Sequence, residues 1–166
     1  MLNSSPLTPR KAVTLGLAVS AVILVLDLIS KWWIVNQVMN PPRAIEITPF
    51  FNLVMVWNSG IAFGMFGNTA WGRWAFAGLA LAIVGVLVSW LLRADHRSTA
   101  LALGLVIGGA IGNVIDRVRW GAVADFLDFH VAGWHWPAFN VADSAIVIGV
   151  GILFLEALFS RKETLK

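Results

Sequence analysis

The sequence contains no cysteine. That excludes disulfides, thiolate metal sites and a cysteine nucleophile. It is also poor in charge. Only 13% of its 166 residues are charged and 58% are hydrophobic, where soluble domains carry about 25% charge and about 45–50% apolar residues. These shortages argue against a nucleic-acid module, a soluble Rossmann enzyme and a disordered tail. No basic stripe accompanies the net charge of +3 and the pI near 10.0, so no nucleic-acid partner is expected. Long internal repeats and low-complexity tracts are absent as well.

What the chain has instead is length in apolar runs, and a mean hydropathy of +0.80. A membrane span needs roughly 20 mostly apolar residues. The first run, Ala12 to Leu26, follows Arg10 and Lys11 and continues past Asp27 and Lys31 to Val35. A signal peptide opens this way, but no small-x-small cleavage site follows, so the run reads as an uncleaved span. Trp74 to Leu92 is 19 residues without a charge, and Ser98 to Ile115 is 18 residues ending at Asp116. Asn140 to Ser160 carries Asp143 near its start and Glu156 near its end. All four should be helical, because lipid offers the backbone no hydrogen-bond partner. The expected fold is an all-α membrane protein, a single integral domain over 1–166. Its spans are about 12–35, 74–92, 98–116 and 140–160, and its outer segments are 36–73 and 117–139.

Orientation follows from basic residues, which concentrate on the cytoplasmic side. With both termini on one side, that side holds Arg10, Lys11, Arg93, Arg97, Arg161, Lys162 and Lys166, against Lys31, Arg43, Arg73, Arg117 and Arg119 on the other. Lys31 and Arg117 sit beside Asp27 and Asp116 and read as paired groups, which widens the margin. Both termini are therefore expected in the cytoplasm. Eight of the nine tryptophans then fall on the outer half, where Trp favours the membrane–water boundary. Phe51, Leu53, Met55 and Trp57 alternate with their neighbours at strand period, and Asn58-Ser59-Gly60 reads as a turn. A small extracytoplasmic sheet is expected there, with Ile61 to Phe66 returning as its second strand. Segment 117–139 reads as an aromatic-rich outer loop containing Asp125, Asp128, His130 and His135.

The acidic residues are few, and Asp27, Asp116, Asp125, Asp128 and Asp143 all map to the outer ends of spans or the outer loop. An ionisable group at membrane depth costs at least a few kcal/mol and is a functional hypothesis by default. Asp27 and Lys31, spaced i,i+4, suit a structural ion pair; Asp116 with Arg117 suits the same role. Asp143 fits a capping acid behind an Asn140 N-cap. Asp125 lies in an apolar setting, where a carboxylate should have a raised pKa. Two such acids brought together would share a proton, one activating water and the other polarising a carbonyl. Spacing does not choose between Asp125 and Asp128 as the partner of Asp143. Gly104, Gly108 and Gly112 form a small-residue face suited to close helix packing. Three rivals are weaker. An ion-coupled transporter would spread its acids across the membrane, a serine protease would rest on Ser59 with His130, and a zinc protease lacks its HExxH.

Five stretches together resemble one family: Leu26 to Lys31, Trp57 to Gly64, Gly108 to Arg117, Val123 to Phe126 and Phe139 to Ser144. The chain resembles bacterial lipoprotein signal peptidase (signal peptidase II), an aspartic endopeptidase of the inner membrane, over essentially its whole length. The resemblance implies cleavage of prolipoproteins just before a diacylglyceryl-modified cysteine, with no cofactor or metal. It implies Asp125 and Asp143 as the catalytic pair, which settles the choice against Asp128. Asn58, Gly60, Asn113, Arg117 and Asn140 are then expected to bind substrate, and Asp27, Lys31 and Asp116 to support the site. Its implied partners are lipid-modified prolipoproteins, bilayer lipid and globomycin-type inhibitors, and its site would face the outer, periplasmic side.

Overall fold

The computed structural model describes residues 7–60 and 70–163. The expected return strand at Ile61 to Phe66 lies outside them. Among the described residues, four helices are long and apolar enough to cross a membrane: α1 (Pro9–Trp33), α2 (Ala70–Leu91), α3 (Arg97–Trp120) and α4 (Val141–Glu163). Pro9 starts α1 at a position where a missing N–H costs nothing. A wider π turn, Ile34–Val38, carries the first span beyond its expected end at 35.

α3 is the centre of the bundle and packs against α1, α2 and α4. Its glycine face explains how. A Cβ at Gly108 would lie 2.6 Å from the Ser20 carbonyl of α1, and one at Gly112 would collide with Asp27 Oδ2. Absent side chains there let the two backbones close up, so dispersion contacts replace lipid contacts. Residue 109 does the same toward α4, against the Ala142 carbonyl. The expected small-residue interface is therefore present. It seats the C-terminal ends of α1 and α3 and the start of α4 together.

Strands β1 (Ile45–Thr48), β2 (Phe51–Asn58), β3 (Val123–Val131) and β4 (Trp134–His135) form one antiparallel sheet in chain order. The strand expected at Phe51 to Asn58 is β2. The stretch expected as an aromatic outer loop is a correction. Helix α3 runs on to Trp120, and nine residues beyond it form β3, the neighbour of β2. Its Val-Ala-Asp-Phe-Leu-Asp start has no polar–apolar alternation, because both faces of that strand are covered: residues 123–126 are all buried. The sheet docks on the bundle through Ile34, Met39 and Phe126, with Val141 packed beside them. Each such side chain contributes about 1.5–3 kcal/mol on burial. Phe139 exchanges backbone hydrogen bonds with Leu127, tying the entrance of α4 to β3. Strand position and helix start are thereby fixed to each other.

Candidate active site

The sheet and three helix ends meet in a continuous set of polar side chains. Asp143 stands in the first turn of α4. Its backbone N–H donates to Asn140 Oδ1 at 2.9 Å, and the Asn140 N–H donates back to Asp143 Oδ2 at 3.3 Å. This reciprocal arrangement is a capping box, so the capping reading of these two residues holds. It does not use up Asn140. The same side chain donates through Nδ2 to Asp125 Oδ1 at 2.7 Å. One asparagine therefore reaches both acids, one on β3 and one on α4.

Asp125 is 1% exposed. Its other oxygen accepts Asn58 Nδ2 at 2.9 Å. Burial pushes its carboxyl up to about 6, and the negative charge of Asp143 adds to the rise, against the hydrogen bonds from Asn58 and Asn140. The apolar setting read from the sequence has the expected consequence. Asn58 in turn accepts the Gly60 N–H on its own Oδ1 at 2.8 Å. Gly60 has φ +77°, a left-handed conformation that glycine adopts without strain. A side chain there would also press on Arg117 and Phe76.

Arg117 donates Nη1 to the Asn113 carbonyl at 3.2 Å and lies over the Phe76 ring, 5.9 Å from its centroid. Its Nε is buried with no hydrogen-bond partner among the described residues. The charge sits close enough to Asp143, Asp125 and Asp116 to act on all three. Such an arginine offers unused donors next to a carboxylate pair, which suits a peptide carbonyl.

Behind the pair lies an ion cluster. Lys31, fully buried, contacts Asp27 Oδ2 and Asp116 Oδ2, each at 2.8 Å. Its third contact is Asn113 Oδ1 at 3.0 Å. The Asp27–Lys31 pair is as expected. The pairing of Asp116 with Arg117 is corrected: Asp116 takes the lysine of α1, and its Oδ2 also accepts the Ala124 N–H at 3.2 Å. Helix geometry is the reason, since adjacent residues on a helix point in different directions.

Sequence reasoning missed three contacts. Asp27 Oδ1 accepts the Ala142 N–H at 3.0 Å, which caps α4 from another helix 115 residues away. Asn113 joins Lys31 to Asp143, and Phe76 backs Arg117. None has a local signal, because each partner comes from a different span. Asp128 stands apart, hydrogen-bonded to Asn52 and His135. His130 donates its backbone N–H to the Phe50 carbonyl, at the end of β2 remote from Ser59, so the serine–histidine rival has no geometry. Among the described residues, no group of three metal-ligating side chains stands together.

The model of the family described as signal peptidase (SPase) II matches residues 19–159. A lipoprotein signal peptidase of Paraburkholderia phymatum is 46% identical over 145 residues, spanning 86% of each chain. One of Methylobacterium sp. (strain 4-46) is 44% identical over 149 residues, 89% of this chain and 90% of that one. A solved bacterial membrane enzyme shares the fold with a TM-score of 0.77 and 28% identity over 91% of both chains. Matches of this extent and strength mean that the chain belongs to the signal peptidase II family, a family of peptidases.

Proposed function

We propose that this chain is a lipoprotein signal peptidase that works as an aspartic endopeptidase, with Asp125 and Asp143 as its catalytic pair. The observation that carries the reading is Asn140, whose donors reach both carboxylates. An ionised member of the pair takes a proton from water as the water oxygen attacks the scissile carbonyl carbon. The other member, protonated, donates to the carbonyl oxygen. The tetrahedral intermediate then collapses, and the leaving amine takes up a proton from the pair. A carboxyl whose pKa lies near 6 suits this sharing of one proton close to neutrality.

The substrate is a prolipoprotein cut before its diacylglyceryl-modified cysteine. Its signal helix and acyl chains confine it to the bilayer, so lateral diffusion delivers it. An extended peptide is steadied by Asn58, Gly60, Asn113, Arg117 and Asn140. The polar cluster, the sheet and the tryptophan-rich ends share one end of the bundle, and Arg93 and Arg97 mark the other. This supports cytoplasmic termini and a site at the periplasmic face of the inner membrane. A globomycin-type cyclic peptide is expected to compete for the same groove.

The test uses the full chain in detergent with a lipidated prolipoprotein, EDTA and serine-directed reagents. Cleavage that continues under both treatments is the expected result. Loss of cleavage on chelation overturns the aspartate mechanism.

A further inference from the structure

We propose that Lys31 is a positioning residue of this site: acting through Asn113, it fixes the donor that holds the Asp143 carboxyl and so makes Asp143 the member of the pair that enters the cycle as the base. The inference rests on the reading of Asp125 and Asp143 as the catalytic pair, and goes further by giving the two acids different roles.

The argument begins with what an ammonium can do. It has three donors and no acceptor. All three are used, toward Asp27, Asp116 and Asn113. The atom of Asn113 that faces Lys31 must therefore be its carbonyl oxygen. That choice turns the amide nitrogen the other way, where Nδ2 donates to Asp143 Oδ1 at 2.8 Å. Were the amide reversed, an N–H would face an ammonium and a carbonyl would face a carboxylate, and both contacts would be repulsive. Lys31 thus sets, from α1, the polarity of a donor on α3 that serves an acid on α4. The pieces are buried: Lys31 and Asn140 are 0% exposed and Asn113 is 8% exposed. At low local dielectric such oriented dipoles act strongly.

The charged groups facing Asp143 come from each packed element. α1 supplies Lys31 through Asn113, α3 supplies Arg117, and β3 supplies Asp125. Asp143 also stands in the first turn of α4, where helix N–H groups favour an anion. Asp125 feels the Lys31 charge too, but it has neither the lysine-oriented donor nor a helix start. Its donors are the amides of Asn58 and Asn140. The asymmetry gives Asp143 the donor oriented from the buried lysine and the helix start, which suits the base.

Removing Lys31 alone strands two buried carboxylates, so the working variant is Lys31→Met with Asp116→Asn, which removes one charge of each sign. Asp116→Asn alone is its control, because Lys31 still faces Asn113 there. The double variant should show a kcat about tenfold to a hundredfold lower with KM little changed, as expected for mispositioned chemistry. The acidic limb of its kcat–pH profile should move from the wild-type midpoint, because the base has then lost its oriented donor. The control should keep the wild-type midpoint. A merely structural lysine lowers Tm and leaves the limb in place in both proteins, and that result overturns the proposal. A measurement on the wild-type chain stands beside these variants and needs no substitution. The side-chain ¹⁵N signal of Asn113 should titrate with the midpoint of the acidic limb, and a signal that ignores it also overturns the proposal. Asp143→Asn separates the two failures. If that variant still turns over, the catalytic pair itself is wrong; if it is inactive while the limb stays fixed, only the role of Lys31 falls.

Discussion

Asp125 and Asp128 are three residues apart on one strand, and strand alternation places them on opposite faces. Both are buried, at 1% and 6% exposure, and both accept an asparagine amide from β2: Asn58 for Asp125, Asn52 for Asp128. Their further neighbours differ. Asp125 faces Asn140 and the negative Asp143, and is pushed up to about 6, chiefly by burial. Asp128 has His135 Nδ1 at 2.9 Å from both its oxygens. Burial raises that carboxyl too, but the hydrogen bonds from His135 and Asn52 and the imidazole charge outweigh it, and hold it below the ordinary carboxylate range. Two acids of the same strand thus become a carboxyl with a raised pKa and a fixed anion. Depth of burial raises Asp125 and hydrogen bonds lower Asp128, and the sign of the neighbouring charge adds to each effect.

The largest expected effect breaks the comparison directly. Asp125→Asn and Asp143→Asn should each lower kcat by about 10²–10⁴, the usual worth of a positioned acid or base, while the proteins stay folded. Asp128→Asn should cleave close to the wild-type rate in the same prolipoprotein assay. Full activity in Asp125→Asn would take that residue out of the mechanism.

Asp27 adds a third kind of carboxylate, held by Lys31 and by the Ala142 N–H. Breaking such a buried pair costs about 3–5 kcal/mol. Asp27→Asn should therefore lose stability in thermal unfolding and lose less activity per folded molecule than Asp125→Asn. An unchanged Tm with no activity would contradict the structural reading of Asp27.

A smaller effect lies in pH. If Asp125 must carry the proton, raising pH through about 6 removes it, and kcat/KM should fall along an alkaline limb with that midpoint. Asp128→Asn should leave the limb where it is. A limb that moves with Asp128 would reverse the roles drawn for the two acids.

The four spans were legible because bilayer thickness imposes a length that composition alone reveals. β2 was legible because Phe51, Leu53, Met55 and Trp57 recur at strand period, and Leu53 and Met55 of that set pack against the docking cluster. β3 was not, since its first four residues are buried on both faces and carry an acid among them. For the same reason spacing left Asp125 and Asp128 equal. What distinguishes them is Asn140 and Asp143 on one side and His135 on the other, which only the fold brings near. The apolar setting of Asp125 was readable, but only the family resemblance chose it over Asp128. Asp27 with Lys31 was readable from i,i+4 spacing, whereas Asp116 misled, because its partner Lys31 comes from another helix. The bridge from Lys31 to Asn113 spans 82 residues and leaves no trace in local pattern.

The smallest effect tests the Asp128 side alone. His135 is about half exposed, so its hydrogen bond to Asp128 is screened and worth little. His135→Ala should lower Tm by only about 1–3 °C near neutral pH. The sign of its pH dependence carries the information. Because the folded-state carboxyl of Asp128 is held below its ordinary 3.8, its stabilising contribution is present above that value and is lost as pH falls through the lower one. The Tm difference between wild type and His135→Ala should therefore persist from neutrality down to about pH 4 and vanish in stronger acid. A difference that instead grew in strong acid would mean that His135 does not act through the ionised carboxylate. The contrast between the two acids would then lose its electrostatic basis.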